Sequence, residues 1–94
     1  MMEQAKLTHM FNYAGATYNI YHASKGEGLN KHEHTFNHAT ICHAGSCMIR
    51  KENLEKVIDK NSGAFDLKAN EWHEIEALED NTVFVNIFAV TDNY

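Results

Sequence analysis

Gly26-Glu27-Gly28-Leu29-Asn30-Lys31-His32-Glu33-His34-Thr35-Phe36-Asn37-His38 runs on through Ala39-Thr40-Ile41-Cys42-His43-Ala44 to Gly45, and the fold is decided in this stretch. His32 and His34 are separated by one residue, so on a strand they project from the same face, about 6 to 7 Å apart at the backbone. Two imidazoles at that spacing can bind one ion. His38 cannot lie on the same straight strand, because four residues at about 3.3 Å each carry it roughly 13 Å past His34. The chain is therefore expected to reverse across Thr35-Phe36-Asn37, with Asn37 taking the dihedrals of a tight turn and His38 starting a neighbouring strand beside His34.

Outward from this stretch the chain reads as short β-rich runs punctuated by Gly, Asn and Asp, without long helical periodicity. Thr17 to Ala23 is rich in β-formers and is followed by the two-glycine loop Ser24 to Gly28. His38 to His43 is expected to pair with Ser46 to Glu52 in a tight hairpin over Ala44-Gly45, setting Cys42 opposite Cys47. Lys56 to Asp59 and Phe65 to Leu67 read as further strands. Trp72 to Leu78 and Thr82 to Val90 are two more, joined by Glu79-Asp80-Asn81, and the second is the most apolar run, expected as a central, fully buried strand. Residues 1–10 are expected as a short helix or an extra edge strand.

The chain has 94 residues, the size of one domain with one modest core, and no linker, repeat or proline divides it. A net charge of -5, with basic residues scattered apart from Arg50-Lys51, provides no stripe for nucleic acid. No apolar run of about 18 residues marks a membrane span, and Met1 to Met10 interleaves Glu3, Gln4, Lys6 and His9 with apolar residues, unlike a secretory leader. A cytoplasmic protein is expected. Cys42 and Cys47 match neither a disulfide framework nor a C-x-x-C motif and are read as reduced thiols.

Seven histidines is the compositional excess. A fourth ligand must come from elsewhere in the chain than the 26–45 stretch, and His73 is the candidate, heading a strand bordered by the Asn70-Glu71 turn. His9, His22 and His43 have no comparable partners.

These residues carry a resemblance to the cupins. The first cupin motif is Gly, five residues, His-x-His, three or four residues, Glu, six residues, Gly, and Gly26, His32, His34, His38 and Gly45 meet every spacing. His38 stands where cupins usually have glutamate, so the chain resembles the subset of cupins whose metal is held by histidines alone, a subset with dioxygenase-like members. The second motif is represented by Gly63-Ala-Phe-Asp-Leu-Lys-Ala-Asn-Glu-Trp-His73-Glu-Ile-Glu-Ala77, one residue short and without the proline, second glycine and asparagine. Gly63 and His73 transfer; Asn70 stands where that glycine would be, and Asn tolerates positive φ best after Gly. The resemblance covers about residues 17 to 90. It implies an all-β fold, a single small cupin jelly-roll barrel of the RmlC-like kind spanning residues 1–94.

The expected site is a divalent transition metal on His32, His34, His38 and His73. Imidazoles suit zinc, copper, iron and nickel better than magnesium or calcium; with manganese these are the candidate ions, and the sequence does not choose among them. With His38 in place of a carboxylate the ion keeps its full charge and is a stronger Lewis acid. A six-coordinate ion would retain two open positions, which points to a non-haem metalloenzyme, of dioxygenase, lyase or isomerase type, acting on a small oxygen-bearing molecule. The alternative is a non-catalytic metal- or ligand-binding module, favoured by the short chain. No catalytic residue beyond the ligands is assigned. Glu74 and Glu76 alternate away from His73 and are expected at the surface. Thr40 and Cys42 share the parity of His38 and point inward, and Trp72, Phe84, Ile87 and Phe88 read as core or interface. Asn86, between Phe84 and Phe88, needs a partner if buried. Exposed sheet edges lead us to expect a homodimer.

Overall fold

The computed structural model describes residues 2–91, and among them there are nine strands and no helix. The strands are β1 (Lys6–Tyr13), β2 (Ala16–Ala23), β3 (Gly28–His32), β4 (His38–Ala44), β5 (Ser46–Lys51), β6 (Leu54–Asp59), β7 (Phe65–Leu67), β8 (His73–Ala77) and β9 (Thr82–Ala89). They form a five-stranded sheet in the order β1-β2-β9-β4-β7 and a four-stranded sheet in the order β3-β8-β5-β6, with every strand pair antiparallel. This is a jelly-roll arrangement. The two sheets stay separate and do not join at their edges into the closed barrel expected from the sequence.

Period-two patterning explains why the sheets pack face to face. On β2 the residues Thr17, Asn19, Tyr21 and Ala23 are buried, on β8 His73, Ile75 and Ala77, and on β9 Thr82, Phe84, Asn86 and Phe88. Their neighbours on the other faces are only partly covered or exposed. Phe84, Ile49, Ile75 and Leu67 are completely buried, and each such side chain contributes roughly 1.5 to 3 kcal/mol through removal of apolar surface from water. Tyr21 stacks on Phe84 with ring centroids 5.0 Å apart.

Asn19, Asn86 and Thr40 lie directly opposite one another across β2, β9 and β4. The Thr40 hydroxyl donates to Asn86 Oδ1 at 2.6 Å, which supplies the partner that a buried Asn86 requires. A polar layer thus crosses the interior one step below His38.

Two expectations change. Ala44-Gly45 is no hairpin turn: β4 and β5 belong to different sheets, and Gly45, at φ 73°, turns the chain through the corner between them. Any Cβ there would overlap Thr82, so the corner requires glycine twice over. Cys42 and Cys47 still meet, with sulfurs 3.9 Å apart, both fully buried and free, because the corner brings the two inward faces together. Burial pushes both thiols above the usual range. β9 is central in its sheet as expected, but it is buried on one face only; Val83, Val85 and Ile87 are partly exposed on the other. Of the alternatives for residues 1–10, the edge strand is the one that forms, and it runs on to Tyr13. No helix among the described residues is long and apolar enough to cross a membrane.

Candidate metal centre

The site is assembled at one end of the sandwich, where β3 ends, β4 begins and β8 begins. His32 closes β3 and His73 opens β8, and the antiparallel register sets them opposite each other. Their ring centroids are 4.5 Å apart. His34 lies two residues beyond, outside the strand, its ring 4.7 Å from that of His32 and 5.4 Å from that of His73. Phe36 stacks against the His34 ring at 5.0 Å and fixes its tilt.

One nitrogen from each of His32, His34 and His73 falls within 4.8 Å of the others. Nitrogens bound to a common ion at about 2.0 to 2.1 Å in tetrahedral geometry are roughly 3.4 Å apart, so modest side-chain rotation closes the cluster on an ion. His38 is placed differently from the expectation. It starts β4, in the sheet facing β3, and not a strand beside His34. Its ring is 5.2 Å from that of His34 and 5.0 Å from that of His73, but it is not one of the three residues whose donor atoms converge within 4.8 Å.

Two of the rings are held in the same way. His32 Nδ1 faces the carbonyl of Asn30, and His73 Nδ1 lies 3.1 Å from the carbonyl of Glu71, each carbonyl being two residues earlier in the chain. A ring that donates from Nδ1 to a carbonyl keeps its lone pair on Nε2, the arrangement typical of metal-bound histidine. His73 Nε2 is buried without a hydrogen-bond partner. A buried lone pair left open is costly unless something accepts it, and a divalent cation among three imidazoles satisfies it. The donor set therefore fits a transition metal.

Electrostatics favours the ligand form. Burial, with the neighbouring His32 second, lowers the pKa of His73 to about 4. Burial, followed by the charges of His73, His34 and His32, lowers that of His38 to about 3. His34 is lowered for the same reasons, burial first. At neutral pH these imidazoles are neutral, and a metal need not displace protons to bind them.

One cavity reaches the cluster and a second reaches His38. One of about 500 Å³ is lined by Gln4, Tyr21, Leu29, Asn30, Lys31, His32 and His34; another of about 390 Å³ approaches His38 beside Asn37, Asp66 and Lys68. Tyr21 is kept in its phenol form by burial, which raises its pKa. Lys31 Nζ sits 4.3 Å above the ring of Trp72, which is partly exposed and so outside the buried core.

Several supporting residues were not legible in the sequence. Lys51, opposite His73 in the β5–β8 register, bonds the Glu71 carboxylate at 3.1 Å, and this contact holds Glu71 below the usual carboxylate range. Asn37 Oδ1 accepts from the Ala69 N–H at 2.7 Å, and the Asn70 N–H donates to the His34 carbonyl at 2.6 Å. Asn70 has φ 61°, as expected for the residue standing in the glycine position. Glu74 and Glu76 face outward, as expected, where Arg50 bridges them at 3.6 and 2.8 Å. His9, His22 and His43 are exposed and lie outside the cluster.

Comparison with solved structures decides the fold. KdgF from Halomonas sp. superposes with a TM-score of 0.79 at 14% identity, covering 90% of this chain and 78% of that one. A cupin superfamily protein from Desulfitobacterium hafniense matches with a TM-score of 0.76 at 11% identity, over 96% and 81%. A protein with a double-stranded β-helix domain from Klebsiella pneumoniae gives 0.73 at 13%, over 92% and 76%. This is the cupin fold. No protein-family model and no curated protein sequence matches the chain. In cupin terms, the cluster occupies the first-motif pair His32 and His34 together with the second-motif His73.

Proposed function

We propose that this cupin-fold protein is a metal-dependent enzyme of the non-haem type, acting on a small oxygen-bearing molecule by oxidation, lyase or isomerisation chemistry. The observation that carries the reading is the buried, unpartnered Nε2 of His73 within a three-histidine cluster that a 500 Å³ cavity reaches at His32 and His34. A purely structural site has no need of such access. His32, His34 and His73 would hold the ion, and His38 would complete the set from the opposite sheet. Bound there, a divalent ion supplies Lewis acidity toward a carbonyl or hydroxyl oxygen.

The chain's own groups would orient the substrate from the cavity side. Tyr21 offers a phenol O–H, Gln4 and Asn30 offer amides, and Leu29 supplies an apolar wall. Iron, nickel, zinc, manganese and copper are the candidate ions, and the donor set does not distinguish them. We also propose a cytoplasmic location, which two free, buried cysteines support. We also propose a homodimer formed along β1, an edge strand whose Leu7, Met10, Phe11 and Tyr13 are all exposed.

The test is turnover of dicarbonyls and polyols, in air, by protein stripped with chelator and reloaded with each of these ions. Activity with at least one ion, lost on His32→Ala, supports the enzyme. Inertness of every loaded form, with a closed four-coordinate metal and no exchangeable water, would favour the non-catalytic module instead.

A further inference from the structure

We propose that the four-residue turn 68–71, pinned by the Lys51–Glu71 ion pair and by the left-handed backbone of Asn70, is the positioning element that holds His34 and His73 at metal-binding distance. The proposal rests on the metal reading above.

Residues 69–71 bond to each of the segments that carry the cluster. The Asn70 N–H donates to the His34 carbonyl at 2.6 Å, which anchors the segment after β3. The Ala69 N–H donates to Asn37 Oδ1 at 2.7 Å, one residue before His38 and β4. The Glu71 carbonyl lies 3.1 Å from His73 Nδ1 and sets the ring orientation on β8. The β3–β4 connection, held at His34 and Asn37, is thus tied to residues 69–71, which lead directly into His73 on β8.

The turn is itself held in place. Lys51 Nζ reaches Glu71 Oε1 at 3.1 Å from the strand opposite His73, and the Lys51 side chain is only 17% exposed. Its ammonium also lies 5.6 Å from the centroid of the Phe65 ring. Asn70 at φ 61° aims its N–H at His34, and a β-branched side chain tolerates that backbone conformation poorly whereas glycine adopts it freely. Groups that orient a ligand histidine typically change metal affinity by about 10- to 100-fold when removed. Lys51 and Glu71, through their ion pair, and Asn70, through its backbone, are positioning residues; they act on the ion through His34 and His73.

The experiment is titration of the metal-free full chain with cobalt(II), reading the dissociation constant and the visible ligand-field band, for wild type, Asn70→Val, Asn70→Gly and Glu71→Ala. Thermal melts of each metal-free protein run alongside. The expected result is binding weakened by about 10- to 100-fold with a shifted band for Asn70→Val and Glu71→Ala. Asn70→Gly should keep the wild-type band and stay within about threefold of its affinity, since glycine retains the backbone conformation. Glu71→Ala, altering a partly exposed side chain, decides the matter if Asn70→Val fails to fold. Wild-type affinity and an unchanged band in the folded variants, with only melting temperatures altered, would overturn the proposal while leaving the metal reading intact. A wild-type chain that binds no cobalt would overturn both.

Discussion

His32 and His73 face each other across the β3–β8 pair with ring centroids 4.5 Å apart, each ring directing Nδ1 at the carbonyl two residues before it. One antiparallel register thus supplies two ligands already turned the same way, and His34 closes the cluster from the segment after β3. Cluster geometry, burial and pKa shifts all favour neutral imidazoles around a cation, and each has a measurable consequence.

A bound ion should stabilise the fold by mass action. With free metal at about 100 times the dissociation constant the gain is about 2.7 kcal/mol, or roughly 10 to 20 °C in melting temperature for a chain of this size. Calorimetry with and without chelator measures it. A melting temperature indifferent to metal and chelator would count against a site at this end of the sandwich.

Acid should destabilise the metal-free protein in a defined window. The pKa of His73 is lowered to about 4 and that of His38 to about 3, against an ordinary value of 6.5. The unfolded chain therefore takes up protons first, so stability is full above about pH 6.5 and falls as the pH drops toward 4 and then 3. Urea midpoints at pH 7.5, about one unit above the ordinary histidine value, and at two lower pH values test the sign. A midpoint that rises on acidification through this window contradicts it.

Thr40→Val should cost about 1 to 3 kcal/mol, because Asn86 Oδ1 loses its 2.6 Å donor while fully buried. Urea denaturation reads the loss directly. A neutral result would mean that Asn86 finds another donor, and the polar layer under His38 would then be less specific than its geometry implies.

Met10→Glu should leave the monomer folded, since Met10 is 66% exposed, while placing a charge on the β1 edge. Light scattering is expected to show a dimer for wild type and a monomer for the variant. Equal masses for the two would remove β1 from the interface.

Much of this was legible from local spacing. The one-residue spacing of His32 and His34 marked them as a pair, although β3 ends at His32 and His34 lies beyond it, and the reversal before His38 follows from the length of the chain between them. Asn70 was legible because so few residue types accept its backbone conformation. The corner at Gly45 was not, because a glycine joining two strands looks the same whether they pair or part into different sheets. That distinction rests on Ser46–Lys51 finding β8 and β6 as partners, a non-local choice. That His38 starts a strand near His34 was legible, whereas the sheet it joins was not, since that is set by pairing with β9 and β7. Lys51 carried no signal at all: its proximity to Glu71 exists only once β5 lies beside β8.

The central claim is that His32, His34 and His73 bind one metal ion. Elemental analysis of the purified protein, combined with X-ray absorption at the edge of whichever metal is found, tests it most directly. The account predicts one transition-metal ion per chain with at least three imidazole nitrogens at about 2.0 to 2.2 Å, reduced to a trace in His73→Ala. Metal-free protein that takes up none on loading, or an ion bound equally well by His73→Ala, would contradict it.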